Sequence, residues 1–205
     1  MKRLLLIVVA LAILGFGPAG AAAETVPRQA AGFVLGQDIG LYKDKLQSGT
    51  ALPVRYLESI KEVEMKETRG FKSGIIGYGT CVGGNRILEI KLKYVDSSRN
   101  FYLSLLEKYK ARFGEPEEWK GDAFGVVLSW KWNFADPSGN KISMILQHNV
   151  KDEAFKKGNV LKLVYSSLME QEIACFFKKN PKGAEQPSAK TRPLKPEDWE
   201  LLLPR

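Results

Sequence analysis

The sequence predicts an α+β fold in which an antiparallel sheet packs against helices. Segments 86–95 and 127–134 alternate apolar with polar residues, which is the pattern of a strand with one buried face. Segment 101–113 instead repeats its apolar residues at helical spacing. The turn sequence DPSGN (136–140) lies between two such strands, and short turns of this kind favour antiparallel pairing.

Along the chain these patterns predict the order α-β-β-β-α-β-β-β-α, within a single domain over residues 24–178. A short helix followed by three strands occurs twice, which suggests a degenerate tandem duplication with halves 32–95 and 96–178. The two halves share element order and no visible sequence identity. We expect the sheet to bury one face under the helices and to leave the other face to water.

Residues 1–23 have the pattern of a secretory signal peptide. A basic Met1-Lys2-Arg3 segment precedes an apolar run, and small residues lead to an Ala-x-Ala cleavage site at Ala23. The alternative is an uncleaved anchor, but the run is short for a membrane span of about 20 residues. We therefore predict a periplasmic or secreted protein of a Gram-negative envelope, with no transmembrane span after cleavage. No cysteine follows the cleavage site closely, so no lipid attachment is expected.

The first half is expected to begin with a short helix capped by Asp38. Its apolar face would hold Ile39, Tyr42 and Leu46. Segment 56–66 is ambiguous between strand and helix, and we interpret it as a strand because 71–81 and 86–95 need a partner. In 86–95 the apolar face would hold Leu88, Ile90, Leu92 and Tyr94.

The second half opens with the clearest helix, for which Asp96, Ser97 or Ser98 can supply the N-cap. Gly114 is expected to end it. After the strands at 127–134 and 141–149 we predict a polar connection over 151–159 and a strand over 160–167. A capping box formed by Ser167 and Glu170 would start the last helix. Residues 179–205 have the composition of a flexible basic tail rich in proline and lysine.

The strand at 127–134 places two tryptophans, Trp130 and Trp132, on the same face as Leu128 and Phe134. We interpret that face as core, packed against the helices. The alternative is an aromatic platform for a sugar or a peptide.

The chain has two cysteines, Cys81 and Cys175, and we predict a disulfide between them because the expected compartment is oxidising. Free buried thiols are the alternative. A structural zinc site needs four ligands, more than two cysteines and the lone His148 supply. No metal site and no cofactor are therefore predicted.

No catalytic motif is found in the sequence, and no catalytic residue is predicted. His148 ends a strand and is interpreted as structural. Acidic residues flank the tryptophan strand, which leaves one alternative function open: a carbohydrate- or peptidoglycan-directed enzyme that uses two carboxylates. Those acids are Glu115, Glu117, Glu118, Asp122 and Asp136.

The net charge is +8, but Lys2 and Arg3 belong to the predicted signal peptide and several more cations belong to the tail. Such dispersed charge argues against nucleic-acid binding. On the polar sides of three predicted strands lie Lys91, Lys93, Lys131 and Lys162. They could form a cationic strip for an acidic protein loop, a lipid head group or an anionic glycan. The alternative is a solubilising face whose lysines protect sheet edges.

The element order over 32–178, together with the motif FVLGQDI (33–39), resembles the beta-lactamase-inhibitor-protein and outer-membrane-assembly lipoprotein (SmpA/OmlA) type of α+β fold. That resemblance implies action by protein–protein contact without catalysis. The chain departs from the lipoproteins because it lacks the lipidated cysteine. We therefore predict a non-catalytic binding or protein-interaction module of the cell envelope.

Overall fold

The computed structural model describes residues 26–150 and 158–181. The predicted signal peptide and the predicted tail beyond residue 181 lie outside the described residues. So does most of the predicted connection at 151–159.

The described residues form ten strands, a short 3-10 helix and two α-helices. The strands are β1 (Gln29–Ala30), β2 (Phe33–Val34), β3 (Leu52–Val54), β4 (Leu57–Glu64), β5 (Phe71–Gly79), β6 (Ile87–Tyr94), β7 (Glu118–Trp119), β8 (Val127–Ala135), β9 (Lys141–Asn149) and β10 (Gly158–Val164). The 3-10 helix spans Ile39–Lys45, and the α-helices span Arg99–Phe113 (α1) and Ser166–Lys179 (α2).

Eight of these strands form one sheet in the order β3-β4-β5-β6-β10-β9-β8-β7, and every neighbouring pair is antiparallel. The predicted α+β class is confirmed. Four strands rather than three follow each of the first two helices, because β3 and β7 are additional short strands at the two edges. Neither is long enough to show alternation, and β3 contains Pro53, which suits an edge position.

One face of the sheet carries the main hydrophobic core. The N-terminal hairpin β1–β2, the 3-10 helix and α1 cover this face, with Phe33, Tyr42 and Tyr102 among their buried contributions. From the sheet itself the core takes Ile76, Ile90, Leu92, Trp132, Ile142, Met144 and Leu146, all nearly inaccessible to solvent.

Helix α1 begins and ends where the sequence predicts. The Ser98 hydroxyl accepts a hydrogen bond from the Phe101 N–H at 3.2 Å, which is the bond of an N-cap. Gly114 has a φ of 79°, a conformation that glycine adopts without the strain of a Cβ, and its N–H donates to the Lys110 carbonyl.

Helix α2 packs on the second face of the sheet, opposite the main core. The expectation that this whole face is left to water is therefore wrong. Ile60 and Val63 are three residues apart on β4 and so point to opposite faces. Val63 belongs to the main core, whereas Ile60 packs with Leu88 and with Leu168 of α2. The second face is therefore covered by α2 at one end only.

The prediction that Leu88 shares a face with Ile90 and Leu92 is wrong, because the β5–β6 register shifts at this point and a β-bulge breaks the alternation.

The predicted capping box at the start of α2 is wrong. The helix begins at Ser166, so Ser167 lies inside its first turn, and the N-cap residue Tyr165 makes no side-chain capping bond. The Ser167 hydroxyl instead accepts a hydrogen bond from the Lys141 N–H of β9 at 2.8 Å. The Ser167 hydroxyl therefore takes part in a tertiary hydrogen bond to β9 and does not cap the helix.

A disulfide joins Cys81, just after β5, to Cys175 of α2, as predicted. Beside it the buried carboxylate of Glu172 accepts hydrogen bonds from the backbone N–H groups of Cys81 and Val82. Gly79 is required here because a Cβ at that position would lie 2.5 Å from the Glu172 carboxylate carbon. Covalent and polar contacts together fix α2 against the β5–β6 turn.

The two tryptophans of β8 have different environments. Trp132 is 1% exposed, and its Nε1–H donates to the Gly114 carbonyl at 2.9 Å. Trp130 is half-buried at the border of the core and meets Trp119 edge to face, with ring centroids 4.7 Å apart. The core interpretation holds fully for Trp132, and a platform made of both rings is not available.

Candidate functional site

The register of the sheet brings the four predicted lysines onto one face. Lys91 of β6 lies directly opposite Lys162 of β10. Lys162 is opposite Ile145 of β9, which in turn is opposite Lys131 of β8. Directly opposed residues of an antiparallel pair share a face, so these side chains form one row across four strands.

Lys93 lies in the next row of the same face, opposite Val160 on one side and Ser73 on the other. We call the surface that bears Lys91, Lys93, Lys131 and Lys162 the lysine face. It is the sheet face opposite the main core, beyond the end that α2 covers.

Two of these lysines are ion-paired. The Lys162 ammonium lies 3.0 Å from a Glu89 oxygen, and the Lys131 ammonium lies 3.4 Å from a Glu118 oxygen. Glu118 also pairs with Lys120, and the hydrogen bonds from Lys120 and then Lys131 hold the pKa of the Glu118 carboxyl below its usual range. Glu118 therefore remains ionised and offsets part of the charge at this edge.

Lys91 and Lys93 make no ion pair with any residue that the structure describes. Like charges placed directly opposite each other on a sheet destabilise the pair. Glu89 neutralises the charge of Lys162 but forms no ion pair with Lys91, so it reduces the repulsion between the two lysines only in part. An anion between the two ammonium groups would remove the remaining repulsion.

Aliphatic side chains lie next to the lysines in the same row. Ile75 is opposite Lys91, Ile145 separates Lys162 from Lys131, and both isoleucines are half-buried. A depression of about 70 Å³ lies between Ser73 and Val160, beside the two unpaired lysines. The lysine face thus combines cations and aliphatic side chains with the carboxylates of Glu64, Glu89 and Glu118. A surface with so small a depression suits a macromolecule better than a small ligand.

The carboxylates of the alternative enzyme function serve as turn-forming groups. Asp122 accepts backbone N–H bonds from Phe124, Val126 and Val127 at 2.8 to 3.0 Å. Asp136 organises the β8–β9 turn through Asn140, whose hydrogen bonds lower the pKa of the Asp136 carboxyl.

Asp122 and Asp136 lie at opposite ends of the nine-residue strand β8. That strand is roughly 25–30 Å long, whereas the carboxylates of a glycosidase lie about 5–10 Å apart. The two aspartates therefore cannot act on one bond. Three glutamates precede β8, two in the loop after α1 and one in β7. Glu115, Glu117 and Glu118 bond to Lys110, Asn133 and Lys120 respectively.

His148 has a structural environment. It is 4% exposed, and its Nδ1 lies 2.8 Å from the Asn159 side-chain oxygen. The Asn159 amide donates to the carbonyls of Asp96 and Ser98, at the start of α1.

Asn159 is the polar residue that the sequence analysis missed. It is fully buried in β10, where a polar connection was predicted. Its neighbours in the sequence are polar, so the local pattern does not show that a strand begins here. Its three hydrogen-bond partners are distant along the chain and give no local signal either.

Within residues 26–150 and 158–181, no group of three or more His, Cys, Asp or Glu side chains is arranged to hold a metal ion. No helix in that part of the chain has the length and apolar character needed to cross a membrane.

In comparisons with protein-family models, with curated proteins and with solved structures, the chain matches none. The resemblance to the beta-lactamase-inhibitor-protein and assembly-lipoprotein fold therefore stays a prediction.

Proposed function

We propose that this protein is a non-catalytic interaction module of the bacterial cell envelope that binds an acidic segment of another protein on its lysine face. The observation that carries the proposal is the direct opposition of Lys91 and Lys162, with Lys91 lacking an ion pair among the described residues. A carboxylate from a partner would form the ion pair with Lys91 that no described carboxylate forms.

An envelope location is supported by the Cys81–Cys175 disulfide, because disulfides persist in oxidising compartments. The signal-peptide pattern of residues 1–23 points to the same compartment. We therefore assign the protein to the periplasm or the exterior of the cell.

The aliphatic residues favour a protein partner over a lipid or a glycan. Ile145 lies between Lys162 and Lys131, and Ile75 lies on the other side of Lys91, so a complementary segment would combine acidic with apolar side chains. A glycan would make little use of the isoleucines. A bilayer surface favours protruding aromatic and leucine side chains, and these isoleucines are half-buried.

A binding measurement with a labelled peptide of alternating glutamate and leucine residues tests this function. We expect salt-sensitive binding to the native protein and a loss of roughly tenfold in affinity for Lys91→Glu/Lys93→Glu, since each reversed charge is worth about 0.5–1 kcal/mol. Lys43→Glu/Arg99→Glu is the matched control: it makes the same charge change at exposed positions of the 3-10 helix and α1, which cover the opposite face of the sheet.

Equal weakening by both double variants would contradict the proposal, because it would mean that the peptide responds only to net charge. Binding to vesicles of anionic phospholipid, or to a sulfated glycan, in preference to the peptide would also contradict it. Unchanged far-UV circular dichroism verifies that each variant is folded.

We also propose that halves 32–95 and 96–178 derive from a degenerate duplication. The strand order supports this, because β3 to β6 and β7 to β10 run inward from opposite edges and meet at the β6–β10 pair. An experimental structure in which a twofold rotation superposes β3–β6 on β7–β10 would support common ancestry, and unrelated strand twists and bulges would oppose it.

A further inference from the structure

A second concave site lies on the main-core face of the sheet, between the N-terminal segment 26–31 and helix α1. Its volume is about 440 Å³, within the range of roughly 300–1,000 Å³ that is typical of small-molecule sites. Phe71, Tyr94 and Leu161 line it from the sheet. We call it the helix–hairpin groove. It lies on the opposite side of the sheet from the lysine face.

The α1 wall of the groove is amphipathic. Leu105, Tyr109 and Phe113 recur every four residues and pack against the core, so they form an apolar stripe. Lys108 and Arg112 also line the groove, one helical turn apart, and both are exposed. The helix thus presents an apolar interior and a cationic rim.

The charge of the groove is of one sign. Its described lining contains three cations, Arg28, Lys108 and Arg112, and no carboxylate. Arg28 pairs with Asp136 outside the lining. Lys108 and Arg112 form no ion pair within the described part of the chain, so their charges are available to an anion.

The tyrosines of the groove add a hydrogen-bond donor. The hydroxyls of Tyr94 and Tyr109 lie 2.9 Å apart, and burial raises the pKa of both, so both are neutral at physiological pH. One hydroxyl hydrogen is used between the two oxygens. The other remains for an acceptor, and Tyr109 lies between Lys108 and Arg112 in the helix.

We propose that the helix–hairpin groove binds an amphiphilic anion of the fatty-acid type. Its aliphatic chain lies over Leu105, Phe113 and Leu161, and its carboxylate is held by Lys108, Arg112 and the tyrosine hydroxyl. A free fatty acid and a singly acylated phospholipid share one acyl chain and one anionic head group, a carboxylate in the first and a phosphate in the second.

Calorimetric titration of the whole protein with dodecanoate, below its micelle concentration, tests the proposal. We expect saturable binding, weakening by about fourfold for each methylene removed in the series to octanoate. Dodecylammonium, which has the same chain and the opposite charge, is expected not to bind. Lysophosphatidylglycerol in a parallel titration distinguishes a lipid source from a free fatty acid.

The matched variants are Arg112→Glu and Arg99→Glu, which make the same substitution on the same helix. Arg99 is exposed and outside the groove. Arg112→Glu should weaken dodecanoate binding tenfold or more, because it removes a charge-assisted contact and adds repulsion. Arg99→Glu should leave it within twofold.

Leu105→Trp, which fills the groove and keeps its cations, should abolish binding. Equal affinity for dodecanoate and dodecylammonium, equal effects of the two arginine variants, or full binding by Leu105→Trp would each overturn the proposal. Lys91→Glu/Lys93→Glu should not change dodecanoate binding, so failure of this site and failure of the lysine face are distinguishable.

Discussion

Tyr102 is 1% exposed, yet its hydroxyl has no hydrogen-bond partner among the described residues. Tyr109, on the same helix, has a partner in Tyr94. A buried hydroxyl without a partner costs about 1–3 kcal/mol, whereas a satisfied one contributes about 1 kcal/mol.

We therefore expect Tyr102→Phe to raise the free energy of unfolding by up to about 1 kcal/mol and Tyr109→Phe to lower it by about 1 kcal/mol. Urea denaturation of both variants provides the comparison. Equal destabilisation by the two substitutions would show that the Tyr102 hydroxyl does form a hydrogen bond in the folded protein.

The same residue makes stability depend on alkaline pH. Burial raises the pKa of Tyr102 to about 12 from an ordinary value of 10.0. Between these values the unfolded chain releases the phenolic proton and the folded chain retains it. The free energy of unfolding should therefore fall as the pH rises above 10 and be insensitive to this group below 10.

Denaturation of the native protein and of Tyr102→Phe below and above pH 10 measures this effect. The variant should lose less stability, although Tyr94 and Tyr109, whose pKa values burial also raises, keep a part of the dependence. Parallel losses in the two proteins would exclude Tyr102 as a contributor.

At the scale of elements, helix α2 depends on the disulfide. The Cys81–Cys175 bond spans 94 residues, so its removal should cost about 4–5 kcal/mol by the loop-entropy relation. Cys81→Ser/Cys175→Ser should lower the urea midpoint by a corresponding amount, and dithiothreitol should do the same to the native protein. Equal urea midpoints of the native protein and the double serine variant would show that α2 is held by packing alone.

The longer elements are predictable from the sequence because their signals are local. β8 alternates over nine residues, β6 alternates from Glu89 to Tyr94, and α1 has both a capping serine and a terminating glycine. β3 and β7 are too short to carry a period. The face on which α2 packs depends on Ile60 and Leu168, which are distant in the chain and carry no local signal.

At the scale of the whole molecule, the candidate site was predictable only in part. Alternation assigns Lys91, Lys93, Lys131 and Lys162 to the polar sides of their strands. It cannot tell which strands are neighbours, since the central β6–β10 pair is separated in the chain by α1 and three strands. The helix–hairpin groove was not predictable, because segment 26–31, α1 and the sheet meet only in the folded chain.

The central claim is that an acidic partner binds the lysine face, and isoleucine methyl NMR tests it most directly. Ile75 and Ile145 lie on that face, whereas Ile76 and Ile142 lie in the main core. On titration with the glutamate–leucine peptide, we predict chemical-shift changes at Ile75 and Ile145 and none at Ile76 and Ile142. Binding of the peptide without changes at Ile75 and Ile145 would contradict the account.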